Sequence, residues 1–298
     1  MKVFELLRIY QPRETGLLGG TGRRLRPSTI LLHAALIFFC LIVLLPIAWL
    51  FLLSVKSVPD AYTGTLWPQR FDFTHYGFVF EHVPTLTQNM TNSIVVTVTT
   101  VVLTSTCAVL AGYALVHLRL PGRGLVVIIL VASLFFPTRL VALIGIFDMH
   151  SKLHLLNTLI GLILPYVSLN LVVSVLIMRG VFQQISPEIV DAARIDGSSS
   201  WHTLWAVLLP LVRNGIVILI IANFITAWGE YLLASTLIDD QVLRTMPPVL
   251  TSRLSGLGEF ALPRAAAIYM LYITPGIIGF AIVQRRFMKG LIEGALNA

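Results

Sequence analysis

Long apolar runs, broken at intervals by short polar stretches, dominate the chain. Residues 27–55 carry no charge and contain LLHAALIFFCLIVLLPIAWLFLL, and residues 82–118 are equally charge-free and contain SIVVTVTTVVLTSTCAVLAGYALV. A helix that crosses a bilayer needs roughly 20 mostly apolar residues, so these two runs predict the first two spans. A third is expected over 124–145, with Arg139 near a helix end where its long side chain reaches the interface. Three more follow at 157–178, 211–232 and 265–284, the last framed by Arg264 and Arg285. The pattern predicts an all-α, polytopic membrane protein with six transmembrane helices.

Composition agrees. Of 298 residues 56% are apolar and only 12% charged, with a mean hydropathy of +0.86, whereas a soluble domain carries roughly 25% charged residues. So few charges cannot cover a water-soluble core of this size, which excludes an ordinary cytosolic enzyme. The formal charge of +7 is scattered between uncharged runs rather than gathered in a stripe with aromatics, so it points away from nucleic acid and towards membrane topology.

Cytoplasmic flanks carry the excess of Lys and Arg. The N-terminal tail supplies Lys2, Arg8, Arg13, Arg23, Arg24 and Arg26. With that tail inside, Arg119, Arg123, Arg179, Arg194, Arg213, Arg285, Arg286 and Lys289 also fall inside, against Lys56, Arg70, Arg139, Lys152, Arg244, Arg253 and Arg264 outside. Both termini are therefore expected in the cytoplasm, with 1–26 as a tail and 27–298 as one membrane domain. The basic region before the first span is too long, and the apolar run too extended, for a cleaved signal peptide. Cys40 and Cys107 lie within apolar runs and read as small buried hydrophobes.

Residues 180–210, GVFQQISPEIVDAARIDGSSSWHTLWAVLLP, form an inner segment with its own signals. Ser186 suits an N-cap, Pro187 the first helical position, and Glu188 and Asp191 the opening turns, where negative charge complements the helix dipole. Ile189, Ala192, Ala193 and Ile195 would give this helix a small apolar surface. Gly197 is placed to end it in a left-handed conformation, and Ser198 to Ser200 to cap a second helix near Trp201. Such a pair fits either a surface gripped by another protein or an amphipathic helix resting on lipid headgroups.

The run Asp191-Ala192-Ala193, then Gly197, then nine residues to Val207-Leu208-Leu209-Pro210, resembles the EAA motif of bacterial ABC importer membrane subunits. Asp191 replaces the usual Glu and Val207 the usual Ile. Further pieces resemble the carbohydrate branch, the smaller maltose-type permease subunit: Ala111-Gly112-Tyr113-Ala114, Arg119-Leu120-Pro121-Gly122, Leu155-Leu156-Asn157-Thr158, Ala227-Trp228-Gly229-Glu230-Tyr231 and Gln284-Arg285-Arg286-Phe287. Gly229 stands where that branch often has Asn.

The resemblance implies a type I ABC importer transmembrane domain that pairs with a second membrane permease subunit as a heterodimer, in the bacterial cytoplasmic (inner) membrane. It implies two cytoplasmic ATPase subunits that bind ATP and Mg, and an extracytoplasmic substrate-binding protein. Glu188, Asp191, Ala192, Ala193, Asp196, Gly197, Leu209 and Pro210 would then couple to the ATPase, and Ser255, Gly256, Leu257 and Gly258 would occupy a loop that touches the binding protein or serves as a connector. No cofactor is expected on this chain itself: none of its four lysines follows a glycine, so it has no P-loop.

Polar residues within spans are pathway candidates because they are costly there: Asn92, Thr97, Thr99, Asn170, Asn223, Thr226, Trp228 and Glu230. The blander role of such residues is to bond to their own helix or link neighbouring ones. His150 and His154 sit one helical turn apart beside Asp148, without a third ligand to make a metal site. An ion-coupled secondary transporter would want acids at mid-membrane, which these spans almost lack, and a membrane assembly protein would not need the helix pair of 180–210.

Overall fold

The computed structural model describes residues 27–135, 138–255 and 261–296. The described residues divide into two units, the first ending at Ala48 and the second beginning at Trp49. The first helix, α1 (Pro27–Ser54), begins in the first unit and ends in the second; it is apolar on every side and uninterrupted by Pro46. Among the described residues all other regular structure is helical, joined by turns and loops, apart from one isolated antiparallel bridge between Lys56 and Phe71.

Two short helices, α2 (Val58–Ala61) and α3 (Thr74–His82), precede α4 (Leu86–His117), which forms the spine of the second unit. Then come α5 (Arg123–Leu134), α6 (Thr138–Lys152) and α7 (Leu159–Phe182). The principal packing is α4 against α7. Gly112 permits it: a Cβ there would lie 2.8 Å from the Met178 Cβ and 3.0 Å from the Arg179 backbone nitrogen. The start of α7 is fixed by Thr158, whose hydroxyl donates to the Leu155 carbonyl (2.7 Å) and accepts from the Gly161 amide (3.0 Å).

Next are α8 (Pro187–Ile195), α9 (Ser200–His202), a π-helical turn (Thr203–Leu208), α10 (Leu209–Leu211) and α11 (Arg213–Trp228). The chain ends with α12 (Leu232–Leu237), α13 (Met246–Ser255) and α14 (Leu262–Leu296). Three apolar clusters hold the unit together. One, at the α4 C-terminal end, includes Ala108, Tyr113, Met178, Phe182, Leu204 and Leu208. A second, at the α4 N-terminal end, joins Val79, Leu86, Met246 and Ile268. Between α4, α7 and α12 lies a third, with Val96, Leu162, Tyr166 and Leu233.

Among the described residues, four of the six expected spans are single helices. Leu31–Ser54, Leu86–His117, Leu159–Phe182 and Leu262–Ile282 are each long and apolar enough to cross a membrane alone. The fifth is a broken pair, Ser200–Leu211 and Arg213–Trp228, bent by 79°. The third, expected as one helix over 124–145, is divided into α5 and α6. Pro137 falls at the division, and a proline lacks the amide needed to continue a helix while disfavouring helical geometry in the residue before it. Hydropathy alone counts residues and does not register such a break. The backbone of Arg139 lies at the start of α6, a helix end as expected.

Candidate coupling surface and intramembrane cavity

The segment 180–210 folds as its local signals predict. Ser186 caps α8, its hydroxyl accepting from the Glu188 amide at 3.3 Å, with Pro187 in the first turn. At the other end Gly197 adopts φ +79°. The Gly197 amide donates to the Arg194 carbonyl and the Ser198 amide to the Ala193 carbonyl, both at 3.0 Å, which is the bond pattern of a Schellman C-cap. Ser199 then caps α9, accepting from the His202 amide at 3.2 Å. The chain runs on through the π-helical turn to Leu209, half-buried against the first cluster, and exposed Pro210.

The buried side of α8 differs from the expected one. Val190 and Ala193 face inward, whereas Ile189, Ala192 and Ile195 are exposed, Ile195 at 86%. Only Ala193 of the four expected apolar residues is buried, because positions 190 and 193 share the helix face turned to the bundle. Exposed Trp201 and Trp205, with ring centroids 5.6 Å apart, extend the apolar surface beyond the glycine turn. Asp196, Gly197, Ser198, Ser199 and His202 line a hollow of about 580 Å³ beside Ala193 and Val207.

Two bonds tie this element to the end of α4. Tyr113, buried, donates its hydroxyl to the Ser200 carbonyl (2.9 Å), and Arg194 donates to the His117 carbonyl (3.0 Å). Arg194 also pairs with Asp191 at 3.3 Å across one turn, with both side chains largely in solvent. An exposed pair of this kind adds little stability, so Asp191 remains accessible to another cation.

Thr97, buried, and Thr99, half-buried, lie along α4, and the other six in-span polar candidates separate into four environments. Asn170, Asn223 and Thr226 come together with Ser133, Ser168 and Ser174 on a cavity of about 300 Å³ between α5, α7 and α11. Ser174 and Asn223 bond each other across the two helices at 3.1–3.2 Å, and Asn170 donates to the Tyr166 carbonyl at 2.8 Å. None of the twelve lining side chains is ionisable. Asn92 lies elsewhere: buried, it donates to the Val242 (2.8 Å) and Arg244 (3.2 Å) carbonyls, while Asn89 holds the Gln241 and Arg244 carbonyls and the Ser93 hydroxyl takes the Met246 amide.

Trp228 forms near-parallel stacks with Phe224 (5.6 Å) and Tyr272 (5.3 Å), and the Tyr272 hydroxyl donates to its carbonyl at 2.6 Å. Glu230 caps α12: its carboxylate accepts from the Leu233 and Ala234 amides (3.0 and 3.1 Å) and from the Tyr166 hydroxyl (2.6 Å). The backbone of Ser255 ends α13, and Gly256, Leu257 and Gly258 lie outside the described residues. Sequence reasoning missed Asn89, Ser93, Tyr166 and Ser174. A polar residue one helical turn from another on an apolar span, as Asn89 is from Asn92 and Ser93, is the available signal.

The pattern characteristic of binding-protein-dependent transport system inner membrane components matches residues 104–291. The chain belongs to that family. The match takes in α8, the Gly197 turn and the cavity-lining helices α7 and α11. Among relatives of known role, the sulfoquinovosyl glycerol transport system permease protein SmoH of Agrobacterium fabrum is 32% identical, over 85% of this chain and 89% of its own length. The trehalose transport system permease protein SugB of Mycobacterium tuberculosis is 30% identical over 85% and 92%. The diacetylchitobiose uptake system permease protein NgcG of Streptomyces coelicolor is 28% identical over 89% and 88%. A bacterial ABC transporter chain involved in the import of the acidic polysaccharide alginate shares the fold, with a TM-score of 0.73, 25% identity, and coverage of 91% of this chain and all of that one. This family member is thus a multi-pass membrane protein with the ABC importer permease fold.

Proposed function

We propose that this chain is one of two membrane permease subunits of a binding-protein-dependent ABC importer for a sugar or sugar-like solute. The observation that carries the proposal is the rigid α8–Gly197–α9 element, tied to α4 by Tyr113 and Arg194 and exposing Asp191, Ala192, Ile195 and Trp201. Here it docks on a cytoplasmic ATPase of a pair that binds and hydrolyses ATP with Mg; this chain is not the catalyst. Glu188, Asp191, Ala192, Ala193, Asp196 and Gly197 form the contact, and Leu209 and Pro210 carry its movement into α11.

Both termini lie in the cytoplasm in this reading, as the distribution of Lys and Arg requires. Residues 1–26 form a tail and 27–298 a single transport domain. Its heterodimer partner supplies the other wall of the pathway. An extracytoplasmic substrate-binding protein delivers the solute to the opposite face, touching the loop that contains Ser255–Gly258. The relatives are named for the transport of trehalose, diacetylchitobiose and sulfoquinovosyl glycerol, which supports a carbohydrate.

On this chain Asn170 and Asn223 are the pathway residues. Amides and hydroxyls with no ionisable neighbour suit hydroxyl groups and cannot neutralise a charge. Asn92, Trp228 and Glu230 act instead as struts beside the pathway, because none of them lines that cavity.

The test is mild-detergent purification of the tagged chain from its native membrane, with mass spectrometry of what remains bound. An ATPase, a second permease and a secreted binding protein are expected. Recovery of the chain alone, under conditions that preserve a control ABC complex, overturns the proposal. Asp191→Lys reverses the accessible charge and should lower ATPase recovery; unchanged recovery refutes the docking role of this carboxylate.

A further inference from the structure

The segment between α1 and α3 is inside out for a loop in water. Two of its charged groups, Lys56 and Asp60, are buried. Lys56 is 1% exposed, donates to the Thr65 carbonyl and lies over the Trp49 ring at 5.2 Å. Asp60 is 5% exposed and accepts from the Gln69 amide (3.0 Å) and from the Thr65 (3.0 Å) and Thr63 (3.3 Å) hydroxyls. The base is stitched to the end of α1: the Asp72 amide donates to the Val55 carbonyl (2.8 Å), and the His75 Nε2 lies 2.7 Å from the Lys56 carbonyl oxygen. With so many neutral donors on its carboxylate, the Gln69 amide foremost, Asp60 is held below the usual carboxylate pKa.

The large apolar side chains point the other way. Tyr62, Leu66, Trp67, Phe71 and Phe73 are each more than half exposed. Such a patch on an internally satisfied scaffold marks a surface made to be covered.

We propose that residues 55–76 form an interfacial anchor that seats Tyr62, Leu66, Trp67, Phe71 and Phe73 in the boundary between lipid headgroups and acyl chains. Three observations favour lipid over a protein partner. The hairpin is bonded to the end of a helix apolar enough to span the bilayer, where Trp49 and Phe51 are themselves exposed, so its apolar surface adjoins one that faces hydrocarbon. Trp67 and Tyr62 combine a large apolar body with a polar tip, the pairing enriched at membrane interfaces. Exposed Gln69 and Arg70 stand between Trp67 and Phe71, where they can meet headgroup phosphates. Burying Lys56 and Asp60 among their own partners lets the hairpin enter a medium of low dielectric without an unpaired charge.

The experiment uses the intact transport complex in nanodiscs of phosphatidylethanolamine and phosphatidylglycerol. Single cysteines at Leu66 and Trp67 (Leu66→Cys, Trp67→Cys), with Cys40 and Cys107 replaced by Ser, carry a bimane fluorophore. Both positions are exposed, so neither substitution disturbs the core, and Thr63→Cys serves as the comparison at the polar rim. Lipid bearing a nitroxide near its headgroup should quench positions 66 and 67 severalfold more than position 63, and aqueous iodide should do the reverse. Strong iodide quenching at 66 and 67 would mean that the patch faces water and would overturn the proposal. Insensitivity to both quenchers, or shielding that requires the binding protein, would place a protein on the patch and overturn it equally.

Discussion

Gly197 allows the coupling argument to be tested without confounding packing changes. Its φ of +79° lies in the left-handed region, and a Cβ built on it meets no atom within 4 Å. Substitution therefore costs backbone strain alone. For Ala that is about 1–2 kcal/mol, equivalent to about a 5–30-fold loss in the population that holds the turn. Asn tolerates this conformation and should cost less, whereas β-branched Val should cost more. The assay is ATP hydrolysed per solute imported, in proteoliposomes that contain the complete complex and its binding protein. The ratio should rise in the order wild type, Gly197→Asn, Gly197→Ala, Gly197→Val, with all four chains equally inserted. Equal coupling in the Val variant and wild type, or an Asn variant as defective as Val, would refute the claim that the left-handed turn transmits the movement.

Other substitutions probe the scaffold. Gly112→Val forces a side chain to within 2.8 Å of the Met178 Cβ and should destabilise the α4–α7 crossing by about 1–3 kcal/mol, read as a lower Tm of the purified complex, with Gly112→Ala intermediate. Glu230→Gln should lose about 1–2 kcal/mol, as a neutral cap replaces a charged one, and keep transport at low temperature; transport lost at unchanged Tm would make Glu230 a pathway residue instead. Because the Asp60 carboxyl is held below its ordinary 3.8, its stabilising effect is complete above that pH and fades as the pH falls through the lowered value. The Tm difference between wild type and Asp60→Asn should accordingly be constant from pH 7 to 5 and shrink below about 3.8; a difference that grows on acidification would contradict this.

The parts of the fold written in local chemistry were legible. Ser186, Pro187, Gly197 and Ser199 act through neighbours two to six residues away, so their spacing alone predicts α8, its stop and the next cap. Apolar run length found α1, α4, α7 and α14 for the same reason. What the sequence concealed depends on residues far apart in the chain. Asn92 and Glu230 resemble pathway groups by polarity, yet their partners are the backbone of 242–244 and the Tyr166 hydroxyl, 150 and 64 residues away. Val190 rather than Ile189 turns inward because the bundle decides which face of α8 is covered. The division between α5 and α6 was visible as Pro137 but outweighed by continuous hydropathy.

The 32 residues of α4 make a rod about 48 Å long. One end holds the Ser200 carbonyl through Tyr113 and receives Arg194 at the His117 carbonyl; the other holds the main chain of Gln241, Val242, Arg244 and Met246 through Asn89, Asn92 and Ser93. A helix resists compression along its axis far more than side chains resist rotation. If α8 docks on an ATPase as proposed, a push on it would reach the 241–246 loop along this rod, as by a connecting rod in an engine, without relaying through the cavity. Under that proposal, opening on one face and release on the other would be geared mechanically, and the solute need not be the messenger between them.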